Sequence, residues 1–354
     1  MPEEPATPPD NSGHELDVSS EGVDAEVVEQ FSSTVRFAHQ VVSSVPQFAG
    51  VPSTKVQAVI TSDFVATVQR VLDDSGQPGD PYAVERLGGS AVAKAMRTSD
   101  DYSAHTVVFD ATQWPADSNP VSPFGLVLAA HEMSHVMLGR SRWASGALEG
   151  VVFPSVTPVE SARSMVRTAV EELRADILAG TALGIAASTT VDGETRPSRP
   201  GDLIGHDGYR TQLAAVLDAN VYPGWPDIVQ RYRTRQMPLD QMWKHIGQST
   251  DQVLTLLAHC QAESHFAEES TGVFDEAMAE HRGVELYLRP TWDPIMEALA
   301  SQRVLPDFAD TQSAELELLD VAEAAVMALW ERLGLTMDIR DEREYAIRVS
   351  KPER

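Results

Sequence analysis

The amino-acid sequence predicts a mostly α-helical α+β fold with one small β-sheet, and three observations lead to this prediction. Most of the chain carries apolar residues at the three- and four-residue spacing of amphipathic helices. One short run rich in β-branched residues, at positions 105–110, is typical of a strand. The 354 residues are 42% hydrophobic, which is enough for the core of one large or two ordinary domains.

The N-terminal part is expected to hold an acidic tail followed by helices. Residues 1–22 are rich in Pro, Asp, Glu and Ser and contain neither Lys nor Arg, which predicts a disordered tail. Apolar residues at helical spacing then predict helices over about 24–45, 62–72 and 82–96. The strand at 105–110 follows, and we expect it at the edge of the sheet, where it can pair with an extended substrate.

The next stretch, residues 122–139, combines helix signals with a chemical motif. Ser122 is a good N-cap, Pro123 suits the first helical position, and Gly139 suits the C′ position after the last turn. The neighbours of the motif are uncharged, as a buried helix requires. The sequence therefore predicts an apolar helix that begins at Pro123 and ends before Gly139.

His131, Glu132 and His135 form an HExxH pattern within this helix. Because residues i and i+4 lie on one face of a helix, both imidazoles can bind one tetrahedral zinc at about 2.0–2.1 Å. Glu132 lies one step round the helix, where it can take a proton from a zinc-bound water. The alternative is a core helix whose two histidines are only hydrogen-bonded.

A third protein ligand is expected on a second helix, because catalytic zinc sites usually have three. Residues 157–160 read as a capping box that opens a long helix. Glu172 and Asp176 share one face of it, so Glu172 can bind zinc while Asp176 accepts a hydrogen bond from a ligand histidine. Glu171 is the rival ligand, and a solvated charged face is the alternative.

These residues carry a resemblance to a known family. His131 and His135, followed by Glu172-x-x-x-Asp176, resemble the gluzincin metallopeptidases. The run ELRADILAG at 172–180 is similar to a signature of neutral zinc metallopeptidases, and the order of strand, HExxH helix and glutamate helix is similar to that of ImmA/IrrE-like peptidases. The interval from His135 to Glu172 is longer than in the ImmA/IrrE type, and no helix-turn-helix is evident.

The resemblance covers about residues 100–185 and implies a zincin-like metallopeptidase domain. It implies His131, His135 and Glu172 as zinc ligands, Glu132 as general base, and Asp176 as the partner of a ligand histidine. On this basis we expect a zincin-like domain at 23–185 and a helical C-terminal domain at 203–354 that closes the cleft.

The C-terminal region is read as helical, with a terminal strand at 345–349 that could extend the sheet. Helices are expected over 209–219, 225–236, 239–247, 250–269, 273–288, 293–303 and 312–333.

A metallopeptidase also needs a donor for the oxyanion of the tetrahedral intermediate. The candidates are His206, Tyr209, His259, His265 and His281. The sequence does not choose among them, and Glu149 and Glu160 remain further ligand candidates.

Charge and cysteine content limit the classes of partner and compartment. A net charge of −26 argues against binding to nucleic acid, which needs clustered Lys and Arg, and against docking on an anionic membrane. No run approaches the roughly 18 apolar residues that span a bilayer, and no secretory signal is evident, so a cytoplasmic protein is expected. The one cysteine, Cys260, is expected to be a packed thiol.

The sequence thus predicts a zinc-dependent metallopeptidase that hydrolyses peptide or protein substrates with a zinc-activated water. One alternative is a zinc hydrolase of a small amide, which would have a closed pocket instead of an open edge strand. Another is a non-catalytic interaction protein on a zincin scaffold, which would show a degenerate motif.

Overall fold

The computed structural model describes residues 13–76, 85–86, 89–113, 123–149, 157–186, 188–191, 194–197, 208–266, 272–274, 276–301, 312–339 and 345–353. The helices among them are α1 Ala25–Ser43, α2 Phe64–Asp74, α3 Pro123–Ala144, α4 Pro158–Ala186, α5 Gly208–Val216, α6 Gly224–Arg233, α7 Leu239–Phe266, α8 Glu276–Ala279, α9 Arg289–Ser301 and α10 Gln312–Arg332. The strands are β1 Glu15–Glu21, β2 Lys55–Thr61, β3 Glu85–Arg86, β4 Gly89–Ser90, β5 Ala93–Arg97, β6 Ala104–Asp110, β7 Ser188–Val191, β8 Glu194–Pro197, β9 Leu335–Ile339 and β10 Tyr345–Val349. The predicted mostly helical α+β class is confirmed.

The main sheet has the strand order β1-β2-β6-β5. Strands β1, β2 and β6 are parallel, and β5 is antiparallel to β6. The strand predicted at 105–110 is confirmed as β6, but the prediction that it lies at the edge is wrong, since β2 and β5 flank it. Its five central residues are buried, as a continuous apolar run in an interior strand should be. The edge next to β6 is β5.

Two predictions about the N-terminal half are corrected by strands of this sheet. The helix expected over 82–96 is wrong, because Ala93–Arg97 pairs with β6 as a strand and β3 and β4 form a two-stranded sheet. The predicted disorder is wrong for Glu15–Glu21, which pairs with β2 over its whole length. The backbone ladder stabilises these strands, although their side-chain patterns carry little strand signal. Residues 1–12 lie outside the described part of the chain.

Helix α3 begins at Pro123 as predicted but does not end at Gly139. It continues to Ala144. Gly139 serves close packing instead of a helix end, since a Cβ there would lie 2.8 Å from the Cδ1 atom of Tyr102. Ser122, the predicted N-cap, lies outside the described residues.

The described chain divides into two compact units. The first contains the main sheet, α1, α2, α3, the end of α4 from Thr181, and the β7–β8 hairpin. Helix α1 packs against α3, and the ring of Phe31 on α1 lies 6.5 Å from that of Phe109 on β6. Met133 and Met137 on α3 are fully buried in this unit. The face of α3 opposite its histidines is therefore fixed by packing.

The second unit contains α4 up to Gly180 and the helices from α5 onward. Its core includes three buried tryptophans, and its buried Arg174–Glu315 ion pair has a 2.8 Å contact.

The predicted terminal strand is confirmed as β10, but it pairs with β9 and not with the main sheet. Residues 239–266 form one helix where two were expected. The domain boundaries and the closure of a cleft stay predictions.

No helix within the described ranges is long and apolar enough to cross a membrane. The expected absence of a membrane-spanning segment agrees with this finding. The cytoplasmic location stays a prediction.

Candidate metal centre

Helix α3 brings the two motif histidines into contact. The Nε2 atoms of His131 and His135 lie 3.1 Å apart, and their rings meet edge to face with centroids 4.7 Å apart. Two nitrogens that bind one tetrahedral zinc at 2.0–2.1 Å must lie about 3.3 Å apart. The observed pair of nitrogens fits this requirement closely, so the predicted geometry of the motif is present on one helix face.

Glu132 lies between the histidines in sequence but is held by a different neighbour. Its side chain is buried, and its Oε2 atom accepts a hydrogen bond of 2.6 Å from the backbone N–H of Ala95 on β5. Because the Ala95 N–H donates to Glu132, it points away from β6 and towards the side of β5 that has no neighbouring strand in the described sheet. The carboxylate is therefore anchored beside the histidines by the edge strand.

The glutamate predicted as third ligand lies with the two histidines. One ligand atom from each of His131, His135 and Glu172 lies within 4.8 Å of the other two. These three residue types are the donor set of many catalytic zinc sites. The donor chemistry thus fits a metal ion such as zinc, and the three residues could hold one.

The rival carboxylates on α4 have other roles. Glu171 pairs with Arg167 one turn earlier, with a 3.1 Å contact. Glu160 closes the predicted capping box: its Oε2 atom accepts from the amide of Thr157 at 2.8 Å, and its own amide donates to the Thr157 hydroxyl at 3.2 Å. Both side chains therefore stabilise the helix that carries Glu172.

Asp176 lies one turn after Glu172 and contacts a histidine from another helix. Its Oδ2 atom is 2.6 Å from Nδ1 of His259 on α7. The ring of Tyr209, on α5, stacks on the His259 imidazole with centroids 4.5 Å apart and planes 12° apart. Three helices thus fix one imidazole. The hydrogen bond predicted from a ligand histidine to Asp176 stays a prediction.

Further titratable groups surround this imidazole. Burial raises the pKa of Glu263 to about 7, and Asp176 adds to this shift while Arg210 and the Tyr209 amide oppose it. Burial raises the pKa of Tyr209 well above its usual value, helped by the nearby carboxylates. The Tyr209 phenol therefore stays protonated and can donate a hydrogen bond at neutral pH.

The other residues that the sequence singled out have different contacts or lie outside the described part of the chain. Burial raises the pKa of the buried Cys260 thiol, so the prediction of a packed thiol is confirmed. His281 accepts a hydrogen bond from the Gly283 amide and lies 3.4 Å from Asp218. His265 contacts the ring of Phe266. His206 lies outside the described residues.

Sequence reasoning missed the amide of Ala95, the pairing of His259 with Asp176, and the shifted pKa of Glu263. No sequence pattern could single out Ala95, because every residue except proline has a backbone N–H. A sequence pattern did exist for His259 and Glu263, which lie one turn apart within the largely buried helix α7. Polar residues at i and i+4 in such a helix need partners.

The chain was also compared with known proteins. No protein-family model, no curated protein and no solved structure matches it.

Proposed function

We propose that this chain is a zinc-dependent metallopeptidase in which His131, His135 and Glu172 hold the metal and Glu132 is the general base. The group of three ligand atoms within 4.8 Å of one another is the observation that carries the proposal. A bound zinc ion would polarise the scissile carbonyl and lower the pKa of an attacking water.

Glu132 would take the proton from the attacking water and pass it to the leaving amine. Its carboxylate suits this role, because it is buried and its orientation is fixed by the 2.6 Å hydrogen bond from Ala95. It also lies outside the group of ligand atoms. Glu132 would thus be available as a base and not as a ligand.

His259 is the best-supported donor for the oxyanion, with Tyr209 as its neighbour. The Asp176 carboxylate, 2.6 Å from Nδ1, fixes the orientation of the imidazole. The stacked Tyr209 ring restricts rotation of the imidazole further. Asp176 and Glu172 are one turn apart on α4, so the same helix would position a metal ligand and this donor.

The position of β5 supports a peptide over a small amide. In the described main sheet β5 has a neighbour on one side, and the base is bonded to an amide on its other side. An extended peptide can add to such an edge through backbone hydrogen bonds. We therefore propose peptide or protein substrates.

Zinc content of purified variants tests the site. Mass spectrometry should find about one zinc per wild-type chain, and Glu172→Ala should lose most of it, since two protein ligands are too few for a stable catalytic site. Glu171→Ala is the matched control: it removes the adjacent carboxylate and its pair with Arg167 and should keep its zinc. Equal zinc in both variants would remove Glu172 from the ligand set, and a wild type that takes up no zinc would overturn the proposal.

Ala95→Pro tests how the base is positioned. This substitution removes the amide that bonds Glu132, but no ladder hydrogen bond, because that amide points away from β6. We expect a loss of about tenfold in turnover of casein, the value of one hydrogen bond to a charged group. Ala93→Pro is the matched control, since its amide has the same orientation two residues away. Equal activity of the two variants would show that the Ala95 amide does not position Glu132.

A further inference from the structure

An open cavity of about 710 Å³ lies beside the end of α6, within the second unit. Its walls combine arginines with apolar side chains. We call it the arginine groove, and its main lining residues are Tyr232, Arg233, Arg235, Met237, Pro238 and Val349. Its volume lies within the range of about 300–1,000 Å³ that is usual for ligand pockets.

Three arginines lie within five residues at this place. Arg231, Arg233 and Arg235 are all exposed, and none makes an ion pair with a residue that the structure describes. The Arg233 guanidinium donates to the neutral side chain of Gln230 at 3.0 Å. Arg163 and Arg174 in the same unit are both paired with carboxylates. In a chain of net charge −26, three neighbouring arginines without a carboxylate partner in the described part of the chain suggest a role in binding an anionic group.

The helix dipole accounts for the positions of Arg231 and Arg233, but not for that of Arg235. Arg231 and Arg233 lie in the last turn of α6, where the helix dipole favours positive charge. Arg235 follows the helix with a φ of 61°. The N–H of Arg235 donates to the carbonyl of Tyr232 at 2.8 Å. The N–H of the following residue, Gln236, donates to the carbonyl of Arg231 at 2.8 Å. This is the Schellman arrangement, whose left-handed position favours glycine.

An arginine at this position therefore reduces stability relative to glycine. A residue held in a left-handed conformation against its preference points to a role for its side chain. That side chain lines the groove together with Arg233.

We propose that the arginine groove binds an acidic peptide segment in which carboxylates flank an apolar side chain. Arginine forks pair with carboxylates through two parallel hydrogen bonds. The apolar walls formed by Met237 and Val349 suit the side chain between them. This surface is independent of the proposed metal centre.

The first test measures binding by fluorescence anisotropy with the full chain. The probe is a fluorescein-labelled Glu-Glu-Leu-Glu-Glu peptide, and the matched peptide is Gln-Gln-Leu-Gln-Gln. We expect the acidic peptide to bind and to lose affinity as salt is raised, while the neutral one does not bind. Equal binding of both peptides would overturn the peptide assignment. Displacement of the acidic peptide by a short oligonucleotide, or by inorganic phosphate more strongly than by chloride at the same ionic strength, would also overturn it.

The second test separates function from stability at one residue. Arg235→Gly should raise the melting temperature, because glycine suits the left-handed position, and should weaken binding by about tenfold through loss of a charge-assisted contact. Arg235→Lys keeps the charge but loses the planar fork, so it should bind less tightly than the wild type and more tightly than Arg235→Gly. Lys244→Gln removes an exposed charge outside the groove and should retain the wild-type affinity. A stabilised Arg235→Gly protein that binds like the wild type would overturn the proposal.

Discussion

Replacement of Glu132 by glutamine is expected to lower the turnover of casein by about 10³-fold, the usual contribution of a general base. The amide of glutamine cannot accept the proton of the attacking water. It can still accept the hydrogen bond that Ala95 donates at 2.6 Å, so the buried side chain should keep its position. The loss should fall on kcat, since Glu132 is outside the group of ligand atoms.

This result is informative only if the Glu132→Gln protein still binds zinc. Zinc content and melting temperature of Glu132→Gln should equal those of the wild type, because neither ligand nor packing changes. Glu160→Gln is a matched control on a second partly buried carboxylate, which belongs to the capping box and should leave turnover unchanged. Undiminished hydrolysis by a zinc-loaded Glu132→Gln protein would exclude Glu132 as the base.

The parts of the site that sequence predicted are those fixed by one helix. His131 and His135 are separated by one helical turn, so their meeting follows from helix geometry alone. The capping box at Thr157 is equally local, and both of its predicted bonds are present. Such patterns need only the correct secondary structure, which the apolar periodicity supplied.

The parts that sequence could not predict depend on contacts far apart in the chain. Ala93–Arg97 was expected to be helical, but pairing with β6 decides its structure and creates the edge that holds Glu132. Asp176 and His259 are 83 residues apart, and no local pattern joins them.

Replacement of His259 by glutamine is expected to lower kcat by about 100-fold, with a small change in KM. A donor that acts on the developing oxyanion contributes mainly in the transition state, and loss of one such donor costs about 10²–10³ in rate. Glutamine cannot replace the imidazole that Asp176 orients through the 2.6 Å contact at Nδ1. Zinc content should stay at the wild-type value, since His259 is not among the proposed ligands.

Two further variants decide whether His259 acts on the reaction or only on the fold. Asp176→Asn keeps a hydrogen-bond acceptor near Nδ1 but removes the charge, and it should lower kcat in the same direction as His259→Gln with little loss of stability. His265→Gln, on the same helix and in contact with Phe266, should leave kcat unchanged. Because Asp176 would act through His259, the double variant should be no slower than His259→Gln alone. A double variant that is clearly slower than His259→Gln alone would show that Asp176 does not act only through His259. A loss of zinc from Asp176→Asn would place Asp176 with the metal ligands instead.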